Sequence, residues 1–198
     1  MLSKRIVWRN KPLRNSESTA FIPWLQDRGS LTAQLQARGN FTLLLRHQNL
    51  DMPTRDEARA LNIQPNTMAL IREVVLICDG TPLVFAHTVL PRRPRGSVTG
   101  WLARMGSYSL GALLFSHAGF KRGVIECKRL NHHHKLYLSA REALHVKPDP
   151  RIHLWARRSR FTFGTQTLLV TEIFSPVLRV NSHSTRNRFA LTKRMGNG

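Results

Sequence analysis

The chain has 198 residues, of which 41% are hydrophobic, and this size and composition fit one globular domain with an ordinary core. No segment approaches the roughly 20 consecutive apolar residues of a membrane-spanning helix, and residues 1–15 lack the apolar run of a secretory signal, so neither is expected. The formal net charge is +20, which is compatible with nucleic acid, an acidic membrane surface or a small anionic substrate as partner.

The basic residues are concentrated at both ends of the chain. Residues 1–14 carry five Lys and Arg, residues 181–198 carry four, and neither segment has an acid. Removing these nine charges leaves +11 on the rest of the chain, which holds all eleven acids. We therefore expect a basic N-terminal arm over 1–17, one domain over 18–180 and a basic disordered tail over 181–198. From charge alone, the two ends are expected to attract anionic membrane weakly.

The first half of the domain is predicted to contain two short helices over 18–40 and a strand over 41–48. A third short helix over 54–63 and a β-hairpin over 68–91 follow. Ser30 is placed to cap the second helix. Thr54 and Glu57 have the spacing of a capping box, which predicts the start of the third helix. Asp79-Gly80 between two β-rich runs is typical of an antiparallel hairpin.

The second half is predicted to begin with a loop over 91–97 and two short helices over 98–106 and 109–117. A strand over 123–130, an insertion with one short helix over 131–150 and a second hairpin over 151–176 follow. The turn of this hairpin is expected at Gly164-Thr165. Strands outnumber helices, and both hairpins are antiparallel. The pattern therefore predicts an α+β fold, a single antiparallel sheet of about six strands with short helices on one side forming lids.

Motifs for common cofactors and partners are missing from the sequence. No glycine-rich nucleotide-binding loop follows a strand, there is no GxSxG, and the consecutive histidines 132–134 cannot converge on one metal from a regular element. No exposed aromatic residues interleaved with Lys and Arg and no recognised nucleic-acid-binding motif are expected, so no stable nucleic-acid partner is predicted. Cys78 and Cys127 lie in apolar, strand-like runs and are predicted to be reduced core residues, which suits the cytoplasm.

Two predicted strands carry charged residues where hydrophobic ones are expected. Glu172 lies in LLVTEIFSP (168–176), a strand whose two faces are both apolar, so it is expected to be buried whichever way the strand is turned. In the other strand, alternation puts Arg72 and Glu73 on opposite faces. One interpretation is structural, either a buried ion pair or a strand with one solvated face. The other is a closed pocket in which Arg72 binds an anion and Glu172 contacts its polar end.

The segment RRSR at 157–160 is another candidate, in this case for binding phosphate. It lies within a predicted strand, so its alternate residues must face opposite ways. We therefore expect at least two of its three arginines to be solvated or paired with carboxylates.

Three blocks of the sequence resemble the chorismate pyruvate-lyases, the enzymes that make 4-hydroxybenzoate at the start of ubiquinone synthesis. The blocks are LIREVVLICDGTPLVFAHTVLP (70–91), LGALLFSHAGFKRGVIE (110–126) and LWARRSRFTFGTQTLLVTEIFSP (154–176). A weaker match, GSLTAQLQARGN (29–40), lies where the family has its first lid helix. The order and spacing of the blocks agree with the family over roughly residues 20–178.

This resemblance implies a site and its residues. In the family, the arginine equivalent to Arg72 binds carboxylate, and the glutamate equivalent to Glu172 hydrogen-bonds the hydroxyl end of the aromatic product. The positions of Leu110 and Leu31 supply backbone contacts, although the family usually has Met at the second of these. Helix pairs over 20–38 and 98–117 would be lids. The resemblance further implies chorismate as substrate, no cofactor and a monomer.

The chemistry of chorismate fits these residue types. Chorismate has a ring carboxylate, an enolpyruvyl carboxylate and a C4 hydroxyl, and the loss of its C3–O bond and C4 hydrogen gives pyruvate and an aromatic ring. Arg72 can bind carboxylate bidentately and stabilise charge on the departing enolpyruvyl group. Glu172 can orient the C4 hydroxyl or act as a general base.

An alternative from another functional class also stays open. The lyase fold resembles the effector domain that is attached to some helix-turn-helix regulators. In this alternative, the chain is a non-catalytic domain that senses a small anion.

Overall fold

The computed structural model describes residues 7–12, 14–64, 66–91, 98, 100 and 110–179. The helices are α1 (Ser16–Leu25), α2 (Leu31–Gln36), α3 (Arg55–Leu61), α4 (Leu110–Ser116) and α5 (Lys135–Ala143), and a 3-10 turn covers Pro176–Leu178. The strands are β1 (Phe41–Asp51), β2 (Ala69–Cys78), β3 (Thr81–Pro91), β4 (Phe120–Leu130), β5 (Leu154–Phe163) and β6 (Gln166–Phe174). None of the described helices is long and apolar enough to cross a bilayer.

The six strands form one antiparallel sheet in the order β1-β2-β3-β6-β5-β4. Both predicted hairpins are present, as β2–β3 and β5–β6. At the first turn, Asp79 and Gly80 adopt left-handed backbone conformations (φ of 49° and 73°), as a tight hairpin turn between twisted strands requires. The predicted fold class, a single antiparallel sheet with short helices, is confirmed.

Local capping explains where the helices begin. The side chain of Ser30 accepts a hydrogen bond from the backbone N–H of Ala33 at the start of α2, and Thr54 and Glu57 form the predicted capping box of α3. Helix α1 begins at Ser16 with Asn15 as its cap. These polar side chains satisfy backbone groups that the first helical turn leaves without a partner.

Part of the predicted N-terminal arm contacts the domain. Trp8 is buried, and Arg9 exchanges two backbone hydrogen bonds with Cys127 of the edge strand β4. The predicted loop over 92–97 lies outside the described residues, as do most of the helix predicted over 98–106 and the tail predicted over 181–198. The boundaries of the arm and the tail therefore stay predictions.

Helices cover both faces of the sheet, and not one side alone as the sequence predicted, because both faces carry buried apolar residues. Helices α1 and α2 cover one end of the face that carries Arg72 and Glu172, and α4 covers the other end, through two hydrophobic clusters. We call this side the site face. Helices α3 and α5 cover the opposite side, called the second face, where Tyr137 shares a cluster with Phe85 and Ile173. The predicted insertion over 131–150 thus supplies the cover of the second face.

A charged cluster lies on the second face, beneath α3. The His87 ring lies between two carboxylates, with Nδ1 hydrogen-bonded to Oε1 of Glu73 at 2.9 Å and Nε2 in an ion pair with Oε1 of Glu57 at 3.1 Å. The other oxygen of Glu57 accepts from the backbone N–H of Thr54 in the capping box. Burial alone would lower the pKa of His87, but the bonds to Glu57 and Glu73 outweigh it and raise the pKa to about 9.

This raised pKa predicts a stability that depends on pH. Because an unfolded histidine titrates near 6.5, the contribution of His87 is fully present below pH 6.5 and is lost as the pH rises through about 9. We expect His87→Gln to lower the free energy of unfolding by up to about 3 kcal/mol more at pH 6 than at pH 9.5. Urea unfolding of both proteins at the two pH values measures this difference.

The exposed His133 provides a matched control. His133→Gln should change the free energy of unfolding equally little at both pH values. An equal cost of His87→Gln at pH 6 and pH 9.5 would contradict a protonated His87 in the folded protein.

Candidate active site

The candidate site is built on two adjacent rows of side chains that run across the sheet. In the first row Arg72 of β2 is paired with Thr88 of β3, which in turn is paired with Val170 of β6. In the second row Ala86 of β3 is paired with Glu172. Because alternate residues of a strand share a face, the two rows lie side by side on the site face. Arg72 and Glu172 therefore share one face of the sheet, as the pocket interpretation of the sequence requires.

Arg72 is deeply buried, with 1% of its surface exposed. Its Nε donates a 3.0 Å hydrogen bond to Oε1 of Gln48, its neighbour on β1. Burial lowers the pKa of Arg72, because the low-polarity surroundings destabilise its charged form. A guanidinium stays protonated even so, and the interior therefore holds a fixed positive charge at this end of the site.

Glu172 forms an ion pair with Arg157, its cross-strand neighbour on β5. Nε of Arg157 donates to Oε2 of Glu172 at 2.5 Å. The Arg157 side chain is 1% exposed and that of Glu172 is 16% exposed. Among the described residues, none donates a hydrogen bond to the other oxygen, Oε1. The carboxylate is therefore neutralised on one side and can still accept a hydrogen bond on the other.

Arg157 also joins the sheet to the connection between α1 and α2. Its Nη1 donates to the backbone carbonyl oxygens of Trp24 and Asp27, at 2.6 and 2.8 Å. The indole of Trp24 donates in turn to the carbonyl of Leu178, 3.1 Å away. One side chain thus sets the position of Glu172 and of the helix pair above it.

Arg122 of β4 is a second cation beside Glu172. Its Nη2 lies 4.0 Å from Oε2 of Glu172, and its side chain is 10% exposed. Nε donates to Oγ of Ser159 at 3.1 Å, and Nη1 donates to the carbonyl of Arg28 at 3.2 Å. Burial, only partly offset by the charge of Glu172, lowers the pKa of Arg122 to about 10. It is therefore still a cation at neutral pH.

Leu31 and Leu110 occupy equivalent places in the two covering helices. Each is the first residue of its helix, α2 or α4, and each side chain is buried on the site face. The first N–H groups of a helix have no acceptor within the helix. The backbone contacts of Leu31 and Leu110 with a ligand stay predictions.

Sequence reasoning found part of this arrangement. The expectation for 157–160 is confirmed, since Arg157 pairs with Glu172 and Arg158 pairs with Glu126 and Asp56 on the second face. The sequence did not identify Arg157 as the partner of Glu172, nor Arg122 as its neighbour. In the described part of the chain, no three His, Cys, Asp or Glu side chains come together as metal ligands.

Solved structures with a similar fold are effector domains of transcriptional regulators. The effector domain of PhnF from Mycobacterium smegmatis matches with a TM-score of 0.54 and 16% identity, over 75% of this chain and 90% of that one. The C-terminal domain of the histidine utilization repressor from Pseudomonas syringae matches with a TM-score of 0.53 and 11% identity, over 72% and 95%. At these identities the likeness establishes the fold alone.

The sequence comparisons define the family. The chorismate lyase family model matches residues 2–183. A probable chorismate pyruvate-lyase from Dechloromonas aromatica is 43% identical over 88% of this chain and 97% of its own length, and one from Nitrosospira multiformis is 40% identical over 83% and 91%. The chain belongs to the chorismate lyase family. The resemblance seen in the three sequence blocks is confirmed, and with it the prediction of an enzyme of this class.

The central role of Arg157 predicts a large loss of stability when it is replaced. Arg157→Met leaves Glu172 without its main partner and two carbonyls of the α1–α2 connection without a donor. We expect the free energy of unfolding to fall by about 3–5 kcal/mol, because removing one member of a buried pair leaves an uncompensated charge. The melting temperature measures this loss. The control is Arg160→Met on the same strand, because the side chain of Arg160 is exposed. This substitution should change the free energy of unfolding by less than about 0.5 kcal/mol. Equal effects of the two substitutions would contradict the role assigned to Arg157.

Proposed function

We propose that the protein converts chorismate to 4-hydroxybenzoate and pyruvate at the site face. The observation that carries the proposal is the placement of Arg72 and Glu172 in adjacent rows of one face, beneath α1 and α2. A buried cation and a carboxylate with one accepting oxygen suit a ligand that has a carboxylate at one end and a hydroxyl at the other. The family membership supports the same substrate.

In this proposal Arg72 binds the ring carboxylate of chorismate. Gln48 fixes the guanidinium through Nε, and a planar guanidinium matches the two oxygens of a carboxylate. Burial destabilises the charged form of Arg72, so a bound anion would offset part of that cost. The small side chains of Ala86 and Thr88 lie on the central strand between Arg72 and Glu172, and we propose that the ring of the substrate lies above them.

Glu172 receives the C4 hydroxyl, which lies opposite the ring carboxylate. Its Oε1 accepts the hydroxyl proton in a hydrogen bond, while Arg157 holds Oε2. Glu172 thereby orients the ring and adds to the electrostatic stabilisation of the transition state. A group with this role needs a fixed position more than it needs to take up a proton.

The reaction balances within the substrate. The C3–O bond breaks, and the hydrogen on C4 moves to the methylene carbon of the enolpyruvyl group, which becomes the methyl group of pyruvate. The electrons of the C4–H bond complete the aromatic ring. Aromatisation supplies the driving force, and no metal, nucleotide or redox cofactor is needed for the balance.

The helices above the site face are the proposed lids. Leu31 begins α2 and Leu110 begins α4, and we propose that their backbones contact the ligand from above. A closed cover excludes water and strengthens the electrostatic interactions of Arg72 and Glu172. The same closure slows product release, which favours inhibition by 4-hydroxybenzoate.

The proposal extends to the cellular setting of the protein. We propose a cytoplasmic monomer whose product enters ubiquinone synthesis, as the family resemblance implies. The two described cysteines, Cys78 and Cys127, are free and buried, which suits a reducing compartment. Any attraction of the basic ends to anionic membrane rests on their charge alone.

Turnover of chorismate by the purified protein tests the proposed function. We expect 4-hydroxybenzoate and pyruvate in equal amounts without any added cofactor. Chromatography identifies the aromatic isomer, and a lactate dehydrogenase assay counts the pyruvate. Release of 3-hydroxybenzoate would overturn the product assignment. Saturable binding of 4-hydroxybenzoate without turnover would favour the anion-sensing alternative, to which the effector-domain fold lends support.

The role of Glu172 is tested by replacing it with the uncharged, isosteric glutamine. If Glu172 orients the hydroxyl, Glu172→Gln should lower kcat by about tenfold or less, because the amide oxygen still accepts a hydrogen bond. A general base would instead cost about 10²- to 10⁴-fold. Glu126→Gln is the matched control, since it removes the charge from an Arg–Glu pair on the second face and should leave kcat unchanged.

A further inference from the structure

The substrate of the proposed reaction carries one more negative charge than its aromatic product. Chorismate has two carboxylates, whereas 4-hydroxybenzoate retains only the ring carboxylate. This inference rests on the proposed function, in which Arg72 binds the ring carboxylate and Glu172 the C4 hydroxyl. The enolpyruvyl ether is attached at C3, which is adjacent to C4. The second carboxylate therefore lies near Glu172 and away from Arg72, and it requires a cation of its own.

Arg122 is the cation that the structure places there. Its Nη2 lies 4.0 Å from Oε2 of Glu172. The other cation beside Glu172, Arg157, already bonds that carboxylate and two backbone carbonyls. Two arginines thus lie beside Glu172, and the charges of Arg28 and Asp27 act on Arg122 in opposite directions. The excess positive charge at this end of the site favours an anionic ligand.

The surroundings of Arg122 hold its guanidinium in a fixed position. Nε is bonded to Ser159 and Nη1 to the carbonyl of Arg28, and Cζ lies 5.6 and 5.4 Å from the ring centres of Phe115 and Phe161. These contacts come from β5, from the α1–α2 connection and from α4. None of the described residues accepts a hydrogen bond from Nη2. A nine-tenths-buried guanidinium thus retains a donor beside the hydroxyl end of the site.

We propose that Arg122 binds the enolpyruvyl carboxylate of chorismate and thereby distinguishes the substrate from the aromatic product. Its Nη2 donates to that carboxylate, next to the C3–O bond that breaks. As the bond breaks, negative charge moves onto the departing enolpyruvyl group. Arg122 therefore contributes both to substrate binding and to the transition state, and it makes no contact with bound 4-hydroxybenzoate.

Two ligands and three variants test this assignment. The variants are Arg122→Gln, Arg122→Lys and Arg72→Lys. The binding pair is 4-hydroxybenzoate and its dianionic derivative 3-carboxymethoxy-4-hydroxybenzoate, which carries a second carboxylate on C3 and has no bond to cleave in this reaction. Dissociation constants are measured by calorimetry, and kcat/KM for chorismate is measured by pyruvate release.

For Arg122→Gln we expect kcat/KM and the affinity for the dianion to fall by roughly 10- to 100-fold, as for loss of a charged hydrogen bond. The affinity for 4-hydroxybenzoate should change less than about threefold, which also shows that the site is folded. Arg122→Lys should recover part of the loss because it restores the charge. Arg72→Lys should weaken the binding of both ligands.

Other results would overturn the proposal in distinct ways. An equal loss of affinity for both ligands in Arg122→Gln would mean that Arg122 acts only by positioning Glu172. Unchanged binding of the dianion would mean that the second carboxylate lies elsewhere. If the unmodified protein fails to turn over chorismate, the proposed function fails, and the binding pair still decides whether Arg122 recognises the second carboxylate.

Discussion

The ion pair between Arg157 and Glu172 joins parts of the protein that are far apart in the sequence. The two residues are cross-strand neighbours on β5 and β6, and Arg157 extends the connection to the carbonyls of Trp24 and Asp27. A buried guanidinium must have its donors satisfied. The same side chain therefore fixes the positions of the sheet, of Glu172 and of the helix pair above it relative to one another.

The opposite face of the sheet carries a charged cluster of its own. Arg72 and Glu73 are consecutive in β2, so the first points to the site face while the second binds His87 on the second face. Glu57 closes that cluster from α3. Charges buried on both sides of one strand restrict how it can shift, because a slip by one residue would exchange their environments. The cluster on the second face thus helps to fix the position of Arg72.

Local patterns were sufficient to predict much of the fold. The turn at Asp79-Gly80 indicated the hairpin, and alternation singled out Arg72 and Glu172 as charged residues in apolar strands, but only the register of β2, β3 and β6 shows that they share a face. The partners of Glu172 were not predictable in this way, because the pairing of Arg157 with Glu172 depends on the register between strands. Arg122 is harder still, since an irregularity between Arg122 and Ile125 interrupts the pairing of β4 with β5.

The charges at the candidate site suit the proposed substrate, chorismate. Arg157 is offset by Glu172, so it stabilises the acid and adds little net charge for a ligand. Arg72 lies at one end of the proposed site and Arg122 at the other. Two separated cations favour a dianion over a monoanion of the same shape. In the proposed reaction, each cation faces a different monoanion once the C3–O bond breaks, and pyruvate leaves without disturbing the proposed interaction between Arg72 and the aromatic carboxylate.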